Sequence, residues 1–190
     1  MRHPPTILID ACVLADFIPS DLLLRLAEDP AVISLRWSEQ ILAEVRRTHR
    51  KIGWSDGSAE SWQAAVRQAF PEAMSDPPDE IVARLANHAK DRHVLGAAIV
   101  SGATTIITYN LKDFRPAALA PWTIVARTPD EFLRRMYADQ AQEVRARVMD
   151  MARRHTLPGL MRKLRRSSPS FVAAIMKDLA ASDETTTREG

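Results

Sequence analysis

The chain has 190 residues, 46% apolar and 26% charged, which fits a soluble globular protein with room for a full core. Its one cysteine, Cys12, excludes an internal disulfide framework. No apolar run approaches the ~18 residues that would cross a bilayer. With no secretory segment in "MRHPPTILID" and no membrane span, a cytoplasmic protein is expected. The net charge of +2 is spread unevenly, because residues 134–166 hold ten Lys or Arg against three Asp or Glu. A basic appendage on a mildly acidic body is implied.

In chain order, "TILI" (6–9) reads as a buried parallel strand. "SDLLLRLAED" (20–29) reads as a helix stopped by Pro30, and "AVISL" (31–35) as a second strand. "SEQILAEVRRTHRK" (38–51) predicts a helix with Ser38 as its cap and Ile41, Leu42 and Val45 as its buried stripe. Another helix is expected over 58–74 and is broken by "MSDPPD" (74–79), while residues 79–89 fit helix or loop equally. "DRHVLGAAIVSG" (91–102) predicts a helix closed by Gly102. The β-branched "TTIITY" (104–109) and "WTIVA" (122–126) read as strands. "TPDE" (128–131) offers a cap, a first-turn proline and a reciprocal Glu, so a helix should start near Pro129. From there to 180 the pattern is helical, with breaks near "LPG" (157–159) and "SSPS" (167–170). The tryptophans at 37, 54, 62 and 122 are expected in the core, although Trp54 beside Gly53 and Gly57 also suits an exposed stacking surface.

Strands alternating with helices specify an α/β fold with a parallel β-sheet flanked by helices. The α/β domain should cover 1–127, a helical extension 128–181, and a disordered tail 182–190. Open sheets of this kind bind ligands beyond the carboxyl ends of their strands. Asp10 ends the first strand there, and Asn110 and Asp113 follow the strand at 104–109. Asp91 opens a helix, and Glu44 lies at the margin of a buried helix face. Taken singly, Asp91 reads as a cap, Glu44 as an edge residue and Asp113 as a turn. Asp10 resists so plain a reading, since no turn signal follows it. Gathered together, these carboxylates would repel one another unless a hard cation such as Mg²⁺ or Mn²⁺ joined them. Such a cation orients water and stabilises an in-line phosphoryl displacement.

The segments "LIDACVL", "SEQILAEV" and "KDRHVLGAAIVSGATTIITYNLKDF", in this order and spacing, resemble the PIN-domain ribonucleases. The resemblance is greatest to the VapC-like toxins of toxin–antitoxin pairs. It covers roughly residues 5–126 and is most specific over 90–114. It implies a PIN-like sheet in which Asp10, Glu44, Asp91 and Asp113 are catalytic and, with Asn110, hold Mg²⁺ or Mn²⁺. It further implies an RNA substrate, cut to leave a 5′-phosphate and a 3′-hydroxyl. A cognate antitoxin is the expected protein partner, with a basic side chain placed near Asp10 and Asp91. Two positions depart from the family pattern: Cys12 stands where many relatives have Asn, and Asn110 where many have Asp.

Arg46, Arg47, Arg50 and Lys51 are candidates for an RNA groove, as are Arg153, Arg154, Arg165 and Arg166 in the basic segment. A solvated helix face explains the first group equally well. The stripe Leu157, Leu160, Met161 and Leu164 would instead suit a homodimer arm or antitoxin platform. Two alternatives stand beside the nuclease. One is a PIN-fold interaction module with little catalysis. The other is a haloacid-dehalogenase-like phosphatase, which ranks lower because "DACVL" lacks that family's second Asp. The five histidines show no zinc-ligand spacing, and His88 and His93 read as polar surface.

Overall fold

The apolar runs pair as four parallel strands: β1 (Thr6–Ile9), β2 (Ser34–Arg36), β3 (Thr105–Ile107) and β4 (Val125–Arg127). They form one sheet in the order β2-β1-β3-β4, with Ile7 opposite Ser34's neighbour Leu35 on one side and Thr105 on the other. This computed structural model describes the backbone of residues 4–188 and the side chains of 4–181. The chain divides into two units, Met1–Thr128 and Pro129–Gly190.

In the first unit the sheet is flanked by α1 (Ala11–Leu14), α2 (Phe17–Ala27), α3 (Glu39–Lys51), α4 (Asp56–Ala69), α5 (Asp79–Ala83), α6 (Arg92–Val100) and α7 (Pro116–Leu119). The expected parallel sheet covered by helices is what the chain builds. Ile7, Leu8, Ile9, Ile106 and Ile107 are fully buried, as are Ile41, Leu42 and Val45 of the predicted α3 stripe. Ser38 caps α3 by accepting a hydrogen bond from the Ile41 N–H at 3.3 Å.

Two strands differ from the sequence reading. The second begins at Ser34 because the Val32 and Ile33 N–H groups turn back to the Leu26 carbonyl at the end of α2. The last begins at Val125, because residues 120–122 make a helical turn that ends in left-handed Thr123. That turn leaves Trp122 46% exposed, contrary to its expected core position. Trp37 is fully buried, whereas Trp54 and Trp62 are half-buried around His49, which stacks on Trp54 at 4.2 Å.

One glycine is required by packing. A Cβ on Gly96 in α6 would sit 2.9 Å from Pro77 Cβ and 3.2 Å from Val82 Cγ2. Replacing Gly by Ala inside a helix normally gains about 1 kcal/mol. Here overpacking against a rigid proline ring should cost about 1–3 kcal/mol. Gly96→Ala is therefore expected to lower the midpoint of thermal unfolding, and a rise would show that Pro77 yields freely.

The second unit packs α8 (Pro129–Asp139), α9 (Ala141–Ala152), α10 (Leu157–Leu164) and α11 (Pro169–Arg188) around its own core. Leu133, Val144, Val148, Met151, Leu160, Leu164, Phe171 and Ile175 are all inaccessible there. Asp130 Oδ1 accepts the Phe171 N–H at 2.8 Å, tying α8 to the start of α11. Leu160, Met161 and Leu164 are thus spent inside this unit and do not form an exposed contact stripe. The segment expected as a tail, 182–190, is helical as far as Arg188, since no Gly or Pro falls between Pro169 and Arg188. Its last two residues lie outside the described ones.

Candidate active site

All four strands run parallel, so their carboxyl ends lie at one edge of the sheet. β1 and β3 are neighbours there, and the chain departs to opposite sides from them, toward β2 and toward β4. This is a topological switch point, the place where such sheets bind ligands.

Asp10 follows β1 directly and is 6% exposed. It occupies the position before α1 but makes no side-chain capping bond. Its Oδ2 instead accepts from Thr108 Oγ1 at 2.7 Å and from Cys12 Sγ at 3.2 Å. The Tyr109 N–H donates to Cys12 Sγ at 3.4 Å, and the Asn110 N–H to Thr108 Oγ1 at 3.0 Å. Burial of the sulfur and then the Asp10 charge push the Cys12 thiol up to about 12, although the residue keeps an exposed face. Cys12 is therefore a neutral donor that orients Asp10. Thr108 was legible only as a strand former, yet it locks the carboxylate from the neighbouring strand. Thr108→Val, which keeps the shape and removes the hydroxyl, should cut activity at this site about 10–100-fold, as loss of an outer-shell partner does. Unchanged turnover with normal folding would show that Asp10 is held by other means.

Asp91 sits just before α6, where a capping role was the plain reading. It makes no capping bond. Its Oδ2 is buried without a hydrogen-bond partner, 3.7 Å from His88 Nδ1. Burial, then the charges of Asp10 and Asp113, hold the Asp91 carboxyl above its ordinary range. Ligand atoms of His88, Asp91 and Asp113 all lie within 4.8 Å of one another. Asp10 and Glu44 do not join that trio at this spacing, but Asp10 is close enough to raise Asp91. His88 was missed because residues 79–89 carry no periodicity that fixes its direction. Asn110 turns its amide to donate to Asp113 Oδ2, so here it positions an acid.

Glu44 lies with Asp91, Lys90 and His93 on a cleft of about 480 Å³. Its carboxylate is 3.5 Å from His93 Nε2 and 3.5 Å from Arg47. His93 is 5% exposed, so it is a buried neighbour of Glu44 and not the surface residue expected. His93 lies only two residues after Asp91, in the first turn of α6, and its inward direction was not singled out by the spacing.

The basic candidates fall into two sets. On α3, Arg46 pairs with Glu60 at 3.8 Å, Arg47 with Glu44, and Arg50 with Asp56 at 2.9 Å, leaving exposed Lys51. Much of that charge is compensated within the chain. Arg153, Arg154, Arg165 and Arg166 are all exposed on the second unit, with Arg153 3.7 Å from Asp150.

A parallel PIN-like sheet with an acid-lined switch point defines a class of protein, and one comparison extends that class into sequence. The chain is 42% identical over 77 residues to the "Putative ribonuclease VapC50" of Mycobacterium tuberculosis (strain ATCC 25618 / H37Rv), a stretch covering 39% of this chain and 46% of that protein. The chain thus spans just under half the length of this relative. The resemblance to VapC-like PIN-domain toxins read from the motifs agrees with it. No protein-family model and no solved structure matches the chain.

Proposed function

We propose that this protein is a metal-dependent endoribonuclease, the toxin of a toxin–antitoxin pair, acting on cytoplasmic RNA. The observation that supports it most is the buried, unpartnered Asp91 Oδ2 beside Asp113 and His88, at the switch point that Asp10 also faces. An oxygen so placed is costly without a partner, and a divalent cation removes both that cost and the repulsion among the acids. The carboxylate oxygens of such a site suit Mg²⁺ or Mn²⁺.

Asp10, Asp91 and Asp113 would hold the cation, with Glu44 across the cleft. What a bound cation supplies is polarisation of the phosphodiester and orientation of the attacking water. Thr108 and Cys12 fix the Asp10 carboxylate, and Asn110 fixes that of Asp113. His93 and Arg47 hold Glu44 at the edge of the cleft. The products are a 5′-phosphate and a 3′-hydroxyl. The exposed arginines of the second unit bind the polyanion, and an antitoxin silences the site by setting a basic side chain among the acids.

Purified protein incubated with structured RNA should cleave it with Mg²⁺ or Mn²⁺ and stop in excess chelator. Cleavage that persists in chelator would overturn the metal mechanism. Harmless overproduction of active enzyme, without any neighbouring gene's product, would argue against the toxin role.

A further inference from the structure

Next to the acid trio lies a second cavity of about 390 Å³, within the range of small-ligand pockets. Asn87, Lys112 and Arg115 line it, together with Asp113 and His88, which the trio shares. Asn87 is 6% exposed, and neither its Oδ1 nor its Nδ2 has a hydrogen-bond partner. A carboxamide buried in this way opposes folding, and native proteins satisfy nearly all such groups. Its backbone carbonyl, by contrast, is engaged by Arg92 Nε at 3.3 Å. Lys112 and Arg115 are exposed, and among the described residues neither is paired with an acid, unlike the arginines of α3.

These groups ask for one kind of occupant. A carboxamide carries a donor beside an acceptor, and turned toward the cavity it is the complement of a base edge such as that of adenine. Two unpaired cations a few residues away suit phosphate oxygens. The walls between them include Ala86, Ala117 and Ala118, small enough to admit a flat ring. An acidic peptide would satisfy the cations and could pair a backbone amide with Asn87, but the ribonuclease reading of the adjoining acids favours RNA as the occupant. We infer that this cavity is a nucleotide-recognition subsite. It receives one unpaired base beside the scissile phosphodiester, with Asn87 reading the base edge and Lys112 and Arg115 holding a flanking phosphate. This rests on the ribonuclease reading and adds the sequence preference of the cut.

The test is binding of a single-stranded RNA oligonucleotide, measured in excess chelator so that nothing is cleaved. The oligonucleotide is one that the metal-loaded wild type cuts, with an abasic site walked through its positions. In wild-type protein one abasic position should weaken binding about tenfold or more, the scale of losing a bidentate base contact. Asn87→Ala should bind the intact RNA as weakly and become indifferent to that position, without a fall in its thermal midpoint. Changing Lys112→Gln and Arg115→Gln together should reduce the salt slope by about 0.7, the value for one single-strand phosphate contact. That pair should keep the base preference. An unchanged abasic profile in Asn87→Ala, or an unchanged slope in the pair, overturns the proposal. Should Asn87→Ala fail to fold, Asn87→Asp removes the donor at constant size and must lose the same preference. RNA binding insensitive to all these changes, with loss of binding to an acidic peptide instead, would reassign the cavity to a protein partner. Absence of any cleavage by wild type would sink the ribonuclease reading itself, separately from these chelated binding results.

Discussion

Asp91→Asn should lose RNA cleavage on the order of 10²–10⁴-fold, the scale of removing a positioned acid from a reacting centre. The same variant, free of metal, should be more heat-stable than wild type at neutral pH. Both effects come from one buried oxygen. Asp91 Oδ2 has no hydrogen-bond partner, and burial, Asp10 and Asp113 together raise its carboxyl, with His88 and His93 pulling the other way. A carboxyl raised in the folded state contributes stability below its unfolded pKa, and that contribution is lost as pH rises through the folded value. The charged form at neutral pH therefore opposes folding, and an uncharged amide does not. The gain should be about 1 kcal/mol, comparable to relieving one poorly satisfied buried group. It should shrink as pH falls toward the ordinary carboxylate range near ~4. Thermal melts from mildly acidic to neutral pH, in chelator, decide the matter. A destabilised Asp91→Asn at neutral pH would mean that the carboxylate is held by favourable contacts.

Cation binding should reverse that penalty. A ligand that binds the folded state alone adds about 2.7 kcal/mol at a hundred times its dissociation constant. Titrating Mg²⁺ or Mn²⁺ into wild-type protein at neutral pH should raise its unfolding midpoint steadily. Asp10→Asn and Asp113→Asn should blunt that rise. Asn87→Ala should leave it intact, because its amide belongs to the neighbouring cavity. A flat response in wild type would show that these acids do not form a cation site, whatever the nuclease assay reports.

Much of this was legible in the chain itself, for identifiable reasons. Apolar runs bounded by Pro and Gly mark β1, α3 and α6, because their burial pattern and caps are local. An acid closing an apolar strand stands out, and Asp10 was found that way. The second strand was misplaced, because Val32 and Ile33 look strand-like yet give their N–H groups to Leu26. Thr108 and His93 were missed as site neighbours for a different reason. A threonine in a β-branched strand and a histidine on an apolar helix each have a sufficient local explanation. Their partners, Asp10 and Glu44, lie 98 and 49 residues away, and no local pattern reports such pairings. Conversely, the α3 arginines looked like a free basic face until their acidic partners on α4 came into view.

The Thr108–Asp10 hydrogen bond also sets a timetable for a chain leaving the ribosome. Its two ends are separated by 98 residues, which translation at about 5–20 residues per second takes roughly 5–20 s to add. Through that interval Asp10 is a solvated carboxylate on a strand whose β3 side is open, and Asp113 has not yet been made. β3 pairs with the open side of β1, and the residue just past its end brings the locking hydroxyl. Whatever chemistry the acids perform is therefore withheld from the nascent chain. Abandoned products that end before Thr105 carry three of the acids and none of the arrangement.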